Sequence, residues 1–304
     1  MTAPSHLDLR AAVGVPAGSS TVEIDGAPLA YDRQGSGPPV VCLSAIQHGA
    51  RDFDGFAERV RGRFEVIRLD WPGHGRSGDD AQPASAGRYG ALLDGFLKAL
   101  DIRAPILVGC SIGAAAAIRA AAIGKTEGRP ARALVLCDAG GLAPVTPSLA
   151  KATAAMARFF AAGERGAAWF DAAFSAYYRF IVLPQPAAAA QRRRIVASAK
   201  ATAGVGRQAW QSFGRPEADQ IAELQGLGLP VWAAWARDDR VIPLAFVRAA
   251  LEATPGAEIT TFRAGHAAFL EQPDAFARGF IDFVERRLGA GPSEVRQPAP
   301  RAAA

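Results

Sequence analysis

Lysine is scarce in this chain. Only four of its 34 cationic side chains (Lys98, Lys125, Lys151 and Lys200) are lysine, and the rest are arginine. The arginines are scattered rather than striped along one helix, so a net charge of +5 does not build a nucleic-acid surface. Arginine for lysine beside abundant alanine points instead to a GC-rich genome. Cysteine is sparse too. Cys42, Cys110 and Cys137 each sit in or at the end of a short apolar run, without C-x-x-C spacing. That pattern excludes a disulfide framework and a zinc site, and it points to buried thiols in a reducing cytoplasm. No apolar run approaches the ~18 residues of a membrane helix, because Arg, Asp or Gly interrupts each. Asp8 and Arg10 stand where a secretory leader needs an apolar stretch. We therefore expect a cytoplasmic protein with a small-molecule substrate and neither membrane nor nucleic acid as partner. The sequence is silent on oligomeric state.

What remains is a globular balance: 304 residues, 50% of them hydrophobic and 21% charged. Short apolar runs alternate with helical stretches. Strand-like runs lie at Thr21–Ile24, Leu29–Asp32, Val40–Leu43, Glu65–Leu69, Pro105–Cys110, Ala133–Cys137, Val231–Trp235 and Glu258–Phe262. Several of the later ones are apolar nearly throughout, as parallel strands covered on both faces must be. Helical patterns lie between them, at about 53–61, 87–100, 112–123, 244–253 and 271–287. The alternation predicts an α/β fold with a doubly wound sheet. Residues 143–220 break it: they have no strand-like run and carry Trp169, Phe170, Phe174, Tyr177, Tyr178 and Phe180 at helical spacing. Such a stripe packs helices together, and it also suits a lid over a pocket, with His48, Trp169, Phe174 and Tyr178 as candidate lining residues. Residues 1–19 read as a loose arm, and the tail from 289 to 304 as disordered.

The strongest local signal is Gly109-Cys110-Ser111-Ile112-Gly113, which follows an apolar run and opens an alanine-rich helix. A serine on such a strand-to-helix turn has strained dihedrals and needs small neighbours. A hydroxyl is a poor nucleophile near neutral pH and needs a histidine base, itself oriented by a carboxylate. There are four histidines. His6 is in the arm, His48 follows the third run and His74 lies in a Gly/Pro turn. His266 follows the last run, at the edge of the sheet where the serine emerges, and is the best candidate. Asp238 and Asp239 follow the seventh run and Asp138 the sixth. The Asp-x-x-x-Pro spacing to Pro243 favours Asp239.

Four segments in this order, DWPGHGRS (70–77), GCSIG (109–113), ARDDRVIP (236–243) and GHAAFLEQP (265–273), make residues 20–288 resemble the α/β-hydrolase family. The resemblance is to its bacterial branch of enol-lactone hydrolases, small esterases and ring-cleavage-product hydrolases. It implies an eight-stranded, mostly parallel sheet, a core of 20–142 and 221–288, and a helical cap over 143–220 after the sixth strand. It also implies a catalytic Ser111, Asp239 and His266, with oxyanion donors in the N–H groups of Ile112 and Ile46. One departure stands out. The family usually has His-Gly after the third strand, whereas here Ser44-Ala45 occupies that place and His48-Gly49 comes four residues later.

The expected chemistry is acyl transfer from a small or medium, largely apolar ester or lactone, with neither metal nor organic cofactor. The same triad could cleave a C–C bond or transfer an acyl group. The altered oxyanion loop leaves room for a ligand-binding, receptor-like protein of low turnover.

Overall fold

The computed structural model describes residues 6–11 and 13–289. The tail from residue 290, and residues 1–5 and 12 of the arm, lie outside the described residues. Eight strands form one sheet: β1 (Ser20–Ile24), β2 (Ala27–Gln34), β3 (Pro39–Leu43), β4 (Glu65–Leu69), β5 (Ile106–Cys110), β6 (Ala133–Cys137), β7 (Val231–Ala236) and β8 (Ala257–Phe262). Their order is β1-β2-β4-β3-β5-β6-β7-β8. β2 runs antiparallel to both β1 and β4, and every other neighbouring pair is parallel. The β1–β2 reversal turns on Asp25-Gly26, both at positive φ (47° and 76°), the twist a two-residue hairpin requires. All residues of β5, β6 and β7 are buried, which accounts for their apolar sequences.

Among the described residues twelve α-helices accompany the sheet. They are α1 (His6–Ala11), α2 (Asp54–Val60), α3 (Ala86–Ala99), α4 (Ile112–Thr126), α5 (Pro147–Glu164), α6 (Phe170–Tyr177), α7 (Ala189–Ala197), α8 (Ala203–Phe213), α9 (Ile221–Gly226), α10 (Leu244–Glu252), α11 (Ala268–Glu271) and α12 (Pro273–Leu288). One layer carries α2 and α12, joined by Phe56, Phe276 and Phe280 with ring centroids 5.0–5.4 Å apart. The other carries α3, α4 and α10. Buried alanines 114–117 let α4 lie close on the strands. Helices α5–α9 all fall between β6 and β7. Pro147 at the first turn and Thr146, whose hydroxyl accepts from Leu149 N–H (3.2 Å), start this excursion. A single π-turn over Tyr178–Val182 follows α6. Among the described residues no helix is long and apolar enough to cross a membrane.

The structure corrects the reading of residues 1–19 as a loose arm. Val13 and Val15 are fully buried. The Val15 N–H donates to the Asp70 carboxylate (2.8 Å), which also accepts from the N–H groups of Ala50 (2.8 Å) and Arg76 (3.2 Å). Ser77 completes the knot by donating to the Asp70 carbonyl (2.7 Å) and accepting from Ala30 N–H (2.9 Å). A methyl group on Gly14 would lie 2.2 Å from the Asp70 carboxylate, and one on Gly75 (φ 49°) only 1.7 Å from it. Two apolar residues among Ala, Pro and Gly give no periodicity to read, and the acceptor of the Val15 N–H lies 55 positions along the chain. Asp70→Ala strands the buried N–H groups of Val15 and Ala50 and the part-buried one of Arg76, so urea unfolding should show a loss of about 3 kcal/mol or more.

Candidate active site

At the C-terminal end of β5 the chain turns into α4 through Ser111, with φ 55° and ψ −120°. This sparsely populated conformation persists because its surroundings fix it. The Ser111 N–H donates to the Cys137 carbonyl (3.0 Å), and its own carbonyl accepts from Ala114, Ala115 and Gly140 (3.1–3.2 Å). A Cβ at position 109 would meet the Ala114 backbone at 2.6 Å, and one at 113 the Leu43 carbonyl at 2.4 Å. Only glycine fits on either side of the serine. The turn leaves the Ile112 N–H at the first helical position, where no intrahelical acceptor exists.

His266 follows β8 and is buried. Its Nδ1 donates to Asp239 Oδ2 (2.9 Å), while Asp239 Oδ1 accepts from the N–H groups of Val241 (2.7 Å) and Ile242 (3.1 Å). The carboxylate is thereby fixed at both oxygens and sets the imidazole tautomer. Asp238 is half exposed beside Arg237 at 3.7 Å and takes no part. Burial pulls the His266 pKa down, but the charge and hydrogen bond of Asp239, with Asp138 and Glu271, outweigh it. The net effect holds the imidazole above its ordinary 6.5.

Asp138 and Glu271 complete the surroundings of His266. Asp138, at the end of β6 with φ 48°, accepts from Ala236 N–H (2.8 Å) through Oδ1, and its Oδ2 is buried without a partner. Donor atoms of Asp138, Asp239 and His266 lie within 4.8 Å of one another. Burial, reinforced by the charge of Asp239, pushes the Asp138 carboxyl well above the usual range. Glu271 accepts from the backbone N–H groups of Gly265 and Gln185 and ties the His266 loop to the excursion. Neither role was visible in the sequence.

The loop after β3 sits opposite. The Gln47 N–H, at φ 66°, donates to His74 Nε2 (2.8 Å), while His74 Nδ1 donates to the Pro72 carbonyl (3.0 Å). Burial drives His74 down to about 4, so it is a neutral strut for the loop. The Ile46 N–H has no acceptor among the described residues. His48 is buried. Its Nδ1 pairs with Asp52, whose second oxygen accepts from Gln191 of α7.

Two cavities meet at Ser111, sharing Ile46, Trp210 and Val241. The smaller, of about 300 Å³, is also lined by Gln47, His48, Tyr177, Tyr178, Val182 and His266. The larger, of about 780 Å³, reaches between Leu142, Val145, Leu149 and Phe213 to the exposed Phe246, and no charged side chain lines it. Of the four expected lining residues, His48 and Tyr178 reach a cavity. Trp169 is 53% exposed at the start of α6, and Phe174 is sealed between Phe160, Phe170 and Tyr178. Both correct the expectation of a lining role: Trp169 and Phe174 pack among the helices of the excursion, while Tyr177 and Tyr178, at the end of the same stripe, line the smaller cavity. Gln47, Trp210 and Val241 were missed because lining the site leaves no periodic mark.

The sequence pattern of the alpha/beta hydrolase family matches residues 40–279. An uncharacterized protein of Mycobacterium tuberculosis is 27% identical over 308 aligned positions, covering 90% of this chain and 82% of its own. Solved structures share the fold. An esterase from Exiguobacterium antarcticum superposes with a TM-score of 0.74 at 18% identity, covering 88% of this chain and 99% of that one. The enol-lactonase of Burkholderia xenovorans LB400 gives 0.71 at 18% (87% and 99%), and a thermophilic esterase from Thermogutta terrifontis 0.71 at 19% (88% and 97%). With four-fifths of its length inside that pattern and its polar residues gathered at the strand ends, this chain belongs to the alpha/beta hydrolase family.

Proposed function

We propose that the protein is a serine hydrolase of small or medium, largely apolar esters or lactones, acting through an acyl-enzyme. One observation carries the reading: Ser111, held at a strained turn, lines the same small cavity as an imidazole fixed by a buried carboxylate. His266 Nε2 takes the Ser111 proton as Oγ bonds to the substrate carbonyl carbon. The N–H groups of Ile112 and Ile46 receive the oxyanion. As the C–O bond breaks, His266 returns the proton to the leaving oxygen. Water then repeats the sequence: His266 takes its proton, hydroxide adds to the acyl carbon, and Ser111 leaves reprotonated. Asp239 keeps Nδ1 protonated and stabilises the imidazolium throughout. The apolar larger cavity supports a neutral acyl chain, and two structural neighbours, an esterase and an enol-lactonase, agree with this reaction class. Helices α5–α9 act as a cap that limits bulk water.

Incubation with a fluorophosphonate, read by intact mass, should add one label to the wild type and none to Ser111→Ala or His266→Ala. A label that survives in Ser111→Ala places the nucleophile elsewhere.

The pH response follows from His266. Only neutral imidazole can accept the serine proton, and His266 holds its proton more tightly than an ordinary histidine. The labelling rate should therefore fall as pH drops through an inflection above 6.5. Asp239→Asn should move that inflection down and slow turnover by roughly 10³–10⁴-fold, whereas Asp238→Asn should leave turnover within about twofold.

A further inference from the structure

The two cavities at Ser111 are chemically unlike. The walls of the larger are hydrocarbon apart from Ser111 itself, the Trp210 edge and Thr153, whose hydroxyl is spent on the Ala150 carbonyl (3.0 Å). The smaller holds His266 and a set of polar groups that the reaction does not consume. His48, Asp52 and Gln191 are each at most 3% exposed. They form a buried chain in which the Gln191 amide donates to Asp52 and Asp52 accepts from His48 Nδ1. That chain fixes the ring and leaves Nε2 as its free polar edge. The ring lies against Tyr178, centroids 5.6 Å apart. Burial, with Tyr177 next, pushes the Tyr178 phenol up, so it stays a hydroxyl donor. Beside them the Gln47 side-chain nitrogen is buried with no hydrogen-bond partner among the described residues. An amide donor left so unpaired is costly, and a hydrogen-bonding ligand would recover that cost.

The proton path decides which part of a substrate meets these groups. His266 must reach the leaving oxygen, and His266 lines the smaller cavity but not the larger. The alcohol portion therefore occupies the smaller cavity and the acyl portion the larger. Resting on the hydrolase reading above, we propose that the smaller cavity is a head-group subsite. In it, His48 Nε2 and Gln47 Nε2 hydrogen-bond an oxygen on the alcohol portion of the substrate, beyond the scissile bond. The preferred substrates are then esters that join an apolar acyl chain to a compact, oxygen-bearing alcohol.

Two isosteric pairs of hexanoate esters test this. Propyl is matched with 2-hydroxyethyl and butyl with 3-hydroxypropyl, each pair exchanging a terminal methyl for a hydroxyl. The wild type should prefer the hydroxyl ester of at least one pair by about tenfold or more in kcat/KM. The preference should shrink at least about fivefold in Gln47→Met, which keeps length but loses the amide. It should shrink likewise in the double variant His48→Phe with Asp52→Leu, which leaves no lone buried carboxylate. A merely structural role would lower both esters together and leave the ratio alone. A wild type that labels with fluorophosphonate yet shows no preference, or one that survives Gln47→Met, overturns the subsite and spares the hydrolase reading. A wild type that neither labels nor cleaves any of the four esters overturns both.

Discussion

The positive φ of Ser111 governs the geometry around it. Such a turn holds only if its neighbours are small and its own amide groups are occupied. The second requirement couples the serine to the end of β6, through its N–H on Cys137 and its carbonyl under Gly140. The β6 end in turn carries Asp138, whose carboxyl accepts from Ala236 at the end of β7. There the Arg237 and Asp238 N–H groups bond to the Phe262 and Ala264 carbonyls, either side of the end of β8 (2.7 and 3.0 Å). The C-terminal edge of four strands is thus sewn into one ribbon of hydrogen bonds. Ser111, Asp239 and His266 sit on that ribbon rather than on independent loops, and residues separated by up to 155 positions keep a fixed relation without needing a rigid contact between them.

Burial makes the charges on that ribbon interdependent. Three carboxyls, from Asp138, Asp239 and Glu271, surround one imidazole where water is excluded. Uncompensated charges are costly in so low a dielectric, so burial favours the neutral form of a carboxyl that few donors face. Asp138 and Glu271 are both pushed up by burial, the latter pulled partly back by its bonds to Gly265 and Gln185. Asp239 faces a different environment: two N–H dipoles on one oxygen and the imidazole on the other. The difference in local donors, not in residue type, separates a carboxylate that can stabilise imidazolium from one that holds a neighbouring strand in place.

This division explains what the sequence could and could not disclose. Strands β5–β7 were legible because burial on both faces writes an uninterrupted apolar run. The Ser111 turn was legible because close backbone approach forces glycine at 109 and 113. Asp239 stood out from Asp238 only by its spacing to Pro243, a weaker mark that reflects the turn giving it Val241 and Ile242 as donors. The burial of Val13 and Val15 was hidden because two apolar residues carry no period and Asp70, which accepts the Val15 N–H, is distant in sequence. His48 looked like a displaced copy of a loop histidine because Asp52, four residues on, is an ordinary neighbour in sequence and Gln191, which completes the chain, is distant. The aromatic stripe was real, but periodicity tells that a face is buried and not what covers it. Phe174 is therefore covered by helices of its own segment.

The excursion between β6 and β7 is more than a roof. Its π-turn contributes Tyr178, α7 contributes Gln191 to the His48 chain, and α5 and α8 contribute Leu149, Trp210 and Phe213 to the walls. The same segment reaches the reacting end of the molecule. Val182 accepts the His266 N–H (2.8 Å), and Gly265 is a glycine because any Cβ there would strike Pro184 at 2.3 Å. A change in the excursion is therefore felt in two ways. Substitutions on its cavity-facing side chains alter what fits, while shifts of the 182–185 backbone move the imidazole relative to the serine. The first can vary with substrate at little cost to the chemistry, but the second cannot. That asymmetry places the constraint on the backbone at 182–185 and leaves the freedom in the side chains of α5 and α8.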